Sequence, residues 1–129
     1  MDIKHARAEQ DRARAQLARQ AAAFCMGVPV EAVDGATRGA APTALARQMA
    51  MYLAHIAFEM SLARVAQAFG RDRSTVAYAC HKIEDMRDDA AFDQRLDDLE
   101  TSLRAMPSPA RPMFSRLPQD SASRAGAAW

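Results

Sequence analysis

Five consecutive polar side chains, Arg71, Asp72, Arg73, Ser74 and Thr75, stand between Gly70 and an apolar-periodic stretch beginning at Val76. Their types suit the edges of base pairs. An arginine fork reads guanine bidentately or holds a phosphate, and an aspartate accepts from cytosine N4 or caps a helix. Serine and threonine hydroxyls reach phosphates or base edges, and a threonine methyl can meet a thymine methyl. The plainer reading is that Asp72 and Ser74 only cap while the arginines are solvated. Capping and base contact are compatible, and the spacing predicts major-groove reading by at least two of the five. Which arginine reads a base is left open.

Such a cluster needs a scaffold that presents it. Ala66 lies four residues before Gly70 and Val76 six after it. These are the types and spacings of a helix-turn-helix: a small residue where two helices approach, a glycine for the positive φ of the turn, and a branched anchor on the second helix. Ser61 is a cap for the first of these helices, with Leu62, Val65 and Phe69 inward and Gly70 closing it. The second is predicted from about Ser74 to Met86, with Val76, Cys80 (or Ala79) and Ile83 inward. The polar run then falls at its N-terminal end, where amide groups and dipole also favour phosphate.

The remaining pattern is helical throughout. A long helix is expected from about Ile3 to Met26, polar all round at first and then striped by Leu17, Ala21, Phe24 and Val28. A short turn with Pro29 at its start follows, then a loop over 34–42, and a helix from Thr43 to about Glu59 carrying Leu45, Met49, Leu53 and Ile56. After Asp88 and Asp89, a last helix repeats Phe92, Leu96, Leu99 and Leu103, a seam one helix wide. That seam packs as core in one reading and pairs two copies in a homodimer in the other. Residues 107–129, with clustered prolines and then a Ser/Ala/Gly run, are predicted to be a disordered tail. The division expected is an N-terminal extension over 1–19, a folded domain over 20–106 and the tail. Within that tail Met113, Phe114 and Trp129 are either harmlessly exposed or a short motif ordered by a protein partner.

Composition narrows the function classes. No run approaches 18 apolar residues, and the N-terminal "MDIKHARAEQ" has no signal-peptide core, so neither a membrane span nor export is expected. Cys25 and Cys80 read as small buried side chains in a reducing cytoplasm. The histidines at 5, 55 and 81 have no metal-ligand spacing, and no catalytic triad or paired carboxylates stand out. An enzyme, a cofactor and a metal are therefore not expected. The net charge of +1 conceals a division. Residues 34–82 carry Arg38, Arg47, Arg64, Arg71, Arg73 and Lys82 against Asp34, Glu59 and Asp72, a net +3. Residues 83–106 carry eight acids against Arg87, Arg95 and Arg104, a net −5. The acids read as a solvated helix face turned away from nucleic acid.

The stretch "ARQMAMYLAHIAFEMSLARVAQAFGRDRSTVAYACHKIED" resembles the C-terminal DNA-binding domain family of the bacterial replication initiator DnaA, through "ARQMAMYLA", "SL", "AFG", "RD", "TV" and "ACHKIE". "AAFCMGVPVEAV" resembles the opening of the same domain more weakly, so the likeness spans roughly residues 20–105. It implies an all-α, Trp-repressor-like fold that binds duplex DNA. It further implies that Arg47 and Gln48 contact backbone phosphates, that Asp72, Arg73, Ser74 and Thr75 stand where the family has Asp-His-Thr-Thr for bases and phosphates, and that Lys82 faces phosphate. Helix-surface polarity is the plainer account of Gln48 and Lys82.

Three departures bear on the DNA sequence read. One glycine, Gly70, stands where the family has two. Arg73 replaces histidine and Ser74 a threonine. In the loop from which the family reaches the minor groove, "GATRGAAPT", Arg38 is the only basic residue, which implies weaker affinity and a shallower salt dependence. No GxxxxGK[ST] motif occurs, so the expectation is a stand-alone member without the ATPase module, similar in architecture to transcription regulators of alphaproteobacteria such as gene-transfer-agent activators. The function expected is sequence-specific binding of double-stranded DNA in the cytoplasm, on the nucleoid, as an activator working with a co-activator subunit or RNA polymerase. A replication modulator competing for origin boxes and a protein-only adaptor are the alternatives.

Overall fold

A computed structural model describes residues 3–34 and 41–106. They form six helices: α1 (Ile3–Met26), α2 (Val30–Asp34), α3 (Ala41–Ile56), α4 (Leu62–Phe69), α5 (Arg73–Met86) and α6 (Ala90–Ala105). No strand occurs among the described residues. Residues 35–40, with Arg38, and 107–129, with Met113, Phe114 and Trp129, lie outside them, so the expectations for those residues stay expectations.

α3 is the axis of the domain. Met49 through Ala54 are all buried in succession, which only a helix covered from several sides achieves. It starts two residues before Thr43, with Pro42 in the first turn, where the missing N–H has no partner to lose. It also ends earlier than Glu59. Ala57–Met60 fold back instead, with the Met60 amide donating to the Ala54 carbonyl and His55 Nδ1 2.7 Å from the Met60 carbonyl oxygen. Glu59 takes a left-handed φ of 57° to make that turn.

α1 packs on α3 through alanine. Ala15, Ala18 and Ala22 are wholly buried at spacings of three and four, and Asp11 continues the row. This row is rotated by one residue from the stripe expected from Leu17, Ala21, Phe24 and Val28. Leu17, Ala21 and Val28 are half-buried at its margin, and Phe24 is 85% exposed. Small side chains win because they let two helix backbones approach closely and so bury area on both. Docking therefore begins earlier than the polar first half of the helix indicated. Asp11 receives two hydrogen bonds from Arg64 of α4, Nε at 2.9 Å and Nη2 at 2.6 Å. Farther along, Arg19 stacks over the Phe69 ring, 4.3 Å from its centroid. These two contacts clamp α1 along the length of α4.

α6 resolves its seam in favour of the core. Leu96 and Leu103 are buried within the chain and Leu99 is half-buried against the same cluster. The homodimer reading of these residues is thereby corrected: their apolar surface is already used. The acidic stretch also departs from a solvated face. Arg87, just past α5, is bonded by Asp93, Asp97 and Glu100, with Glu100 Oε2 2.5 Å from Nη1, and donates from Nη1 to the Tyr52 hydroxyl at 2.9 Å. Glu100 is buried. Tyr52 in turn donates to Glu84 at 2.8 Å. Burial alone would lower the pKa of Arg87, but its hydrogen bonds to Asp93, Tyr52 and Glu100 outweigh that and raise it.

Candidate nucleic-acid interface

α4 and α5 are joined by a turn of three residues, Gly70, Arg71 and Asp72. Ser61 caps α4, its hydroxyl accepting from the Arg64 amide at 3.2 Å. At the other end Gly70 adopts φ 66°, ψ 37°, and the amides of Gly70 and Arg71 donate to the carbonyls of Gln67 and Ala66. That pair of bonds is a Schellman closure, which needs one left-handed residue. A single glycine is thus sufficient for the turn. Val65, Ala66 and Val76 are buried at the helix crossing, as the spacing predicted.

Rotation of α5 about its axis is fixed by Val76, Ala79, Cys80 and Ile83, all buried. Cys80 and Ala79 are both inward, so that choice dissolves. Burial pushes the Cys80 thiol up to about 11, with the charge of Glu84 adding to it. The consequence of this rotation is that Asp72, Arg73, Ser74 and Thr75 are all exposed, and Arg71 is half-buried beside them. Asp72 occupies the N-cap position with extended backbone, yet its side chain makes no capping bond. The caps of α4 and α6 behave otherwise: Ser61 is engaged, and Asp89 accepts from the Phe92 amide at 2.9 Å. The N-terminal amides of α5 and the Asp72 carboxylate are left facing outward together.

Of the residues implicated elsewhere, Arg47 joins this cluster. It is half-buried on α3, donates from Nε to the Val33 carbonyl at 3.4 Å, and lies close to Arg71. Burial first, and then the like charge of Arg71, hold its pKa below the usual arginine value. Two guanidinium groups converging near a helix N-terminus make a position where an anion is favoured. Gln48, one residue on, has its side-chain oxygen buried with no hydrogen-bond partner. Any contact it makes with phosphate falls to its amide nitrogen. Lys82 is exposed two turns along α5, on the same side as Ser74 and Thr75. No cluster of His, Cys, Asp or Glu suited to a metal ion occurs among the described residues, and none of their helices is long and apolar enough to cross a membrane.

Two features of this region were not read from the sequence. The Asp11–Arg64 clamp had a faint signal, an acid placed in register with the alanine row. Tyr78, 63% exposed on the outer side of α5, had the plain signal of its spacing from Ser74 and Thr75.

Comparison with known proteins bears on the same region. Residues 18–83, just over half of the chain, match the family described as the bacterial dnaA protein helix-turn-helix. Chromosomal replication initiator protein DnaA of Symbiobacterium thermophilum is 43% identical over 61 residues, 46% of this chain and 13% of its own. The protein of the same name from Oenococcus oeni is 42% identical over 62 residues, and that from Picosynechococcus is 43% identical over 65, half of this chain. The chain spans 13–14% of the length of these relatives. A crystal structure of a DNA replication initiation factor superposes with a TM-score of 0.64 at 28% identity, over 74% of this chain and 30% of that one.

Proposed function

Since the chain belongs to the bacterial DnaA helix-turn-helix family, we propose that it binds double-stranded DNA by seating the N-terminal end of α5 in a major groove, and that it does so as a sequence-specific transcription regulator. One observation carries this reading: Asp72, Arg73, Ser74 and Thr75 crowd the exposed end of a helix whose opposite side is locked into the core. Arg73 and its neighbours read base edges, while Arg47, Arg71 and Lys82 hold the phosphates on either side, with the amide nitrogen of Gln48 as a further donor. An unengaged Asp72 carboxylate is a ready acceptor for a cytosine amino group.

Regulation of transcription is favoured over origin binding by the reading residues themselves. Arg73 and Ser74 replace the family's histidine and threonine, and a changed reading set selects a changed site. The second reading, a modulator that competes for origin boxes, is favoured by the names of the relatives, which are replication initiators. Recovery of genomic DNA with the protein, followed by sequencing, separates the two. Enrichment at promoters supports regulation, enrichment at the origin supports modulation, and no enrichment at moderate salt would leave a protein-only adaptor.

A further inference from the structure

The outer side of α5 continues past the cluster just described. Ser74, Tyr78, His81, Lys82 and Asp85 follow one another at intervals of four, three, one and three, and all five are exposed. Tyr78 lies four residues after Ser74 and three after Thr75, so its side chain emerges on the same face about 5–6 Å farther from the helix start. Four large apolar side chains are strongly exposed among the described residues: Ile3, Phe24, Tyr78 and Met106. Three of them lie on α1 or at the end of α6; Tyr78 alone stands on α5. Scattered single exposures are ordinary. This one sits in line with the residues that enter the groove, and its hydroxyl makes no hydrogen bond among the described residues.

In the major groove an aromatic face has one feature to discriminate, the C5-methyl of thymine, since the other base edges there present hydrogen-bonding groups. Neither Arg73 nor Ser74 supplies such a surface, and Thr75 supplies a single methyl. We infer that Tyr78 is a specificity-determining residue: its ring packs against a thymine methyl one step farther along the groove than the bases met by Ser74 and Thr75. Lys82, one turn beyond, then meets the phosphate that borders that step. The inference rests on the major-groove reading of α5 and extends it to a residue type the polar cluster does not contain.

Selection of duplexes from a randomised DNA pool by the full chain, and by its Tyr78→Ala and Tyr78→Phe variants, tests it. The unaltered protein should enrich a consensus. Tyr78→Ala should lose preference at one thymine position while keeping the rest, and Tyr78→Phe should keep it all. In a fixed duplex, replacing that thymine by uracil removes only the methyl. This should weaken the unaltered protein about fourfold, the worth of one buried methyl group, and leave Tyr78→Ala unaffected. A Tyr78→Ala consensus identical to the original overturns the inference. So does equal weakening of both proteins by uracil, or a uniform loss of affinity in Tyr78→Phe, which would assign the hydroxyl to a phosphate. If the unaltered protein enriches no sequence, the major-groove reading itself fails. An Arg73→Ala variant that still enriches the thymine separates the two outcomes.

Discussion

The two ends of α5 treat charge in opposite ways. At its start, Asp72, Arg73, Ser74 and Thr75 are exposed and Arg71 crowds Arg47, with the cap position left chemically idle. Just past its end, Arg87 is enclosed by Asp93, Asp97, Glu100 and the Tyr52 hydroxyl, so its charge is answered within the fold. The ends are about 20 Å apart on one rigid rod. One is a structural anchor whose polar groups bond one another; the other is a surface on which Asp72, Arg73, Ser74 and Thr75 are exposed. A cluster of charged side chains is thus no guide to function until its partners are known.

The contrast can be broken most severely at Arg87. Arg87→Met should cost about 3 kcal/mol of stability in urea denaturation, the low end for breaking a buried pair, because the buried Glu100 keeps only a looser contact with Arg104 at 3.6 Å. An unchanged midpoint would mean that the acids do not depend on it. The same end predicts an alkaline weakness. Burial, and then the hydrogen bond to Glu84, push the Tyr52 hydroxyl from 10 up to about 12. A raised pKa in the fold means that the stabilisation is complete below pH 10 and is lost as pH climbs from 10 towards 12. Cys80 follows the same sign between 9 and 11. Thermal melts of Tyr52→Phe should therefore fall less between pH 10 and 12 than those of the unaltered protein, the remainder coming from Cys80.

At the other end the largest effects should appear in binding. Arg73→Ala should remove about 1–3 kcal/mol of preference for the selected site over random DNA, with unchanged melting. Arg47→Ala should instead weaken all duplexes alike and reduce the salt slope by about one. Normal binding of the target by Arg73→Ala would dismiss it as a reading residue. The finest comparison is among helix caps. Ser61→Ala and Asp89→Ala should each cost about 1 kcal/mol, whereas Asp72→Ala should stay within about 0.5 kcal/mol, since its side chain caps nothing.

Much of the helix-turn-helix was legible in the chain because it rests on local rules. Ser61 as a cap, Gly70 as the one left-handed residue, and Val76 with Ile83 as the inward row each follow from what a helix of a few turns must do. α1 was harder to read. An alanine-rich helix has weak contrast between its faces, so its periodicity places the docking row one residue off and turns Phe24 inward, where the structure exposes it. The acids after Ile83 misled for a different reason. Their partner, Arg87, precedes them by six to thirteen residues, and Tyr52 is thirty-five residues away from it, so nothing local shows that Glu100 is buried.

The sequence by itself determined the helices, the turn between α4 and α5, and the polar residues placed at that turn, because capping, propensity and periodicity act over a few residues. Only the tertiary structure decided which charges would be spent inside the molecule and which left outside. That depends on how α3 is enclosed: it brings Tyr52 to Arg87 and Arg47 to Arg71. Burial of a charge is favourable only where the fold supplies its counter-charge, and past the end of α5 residues distant in the chain supply it to Arg87.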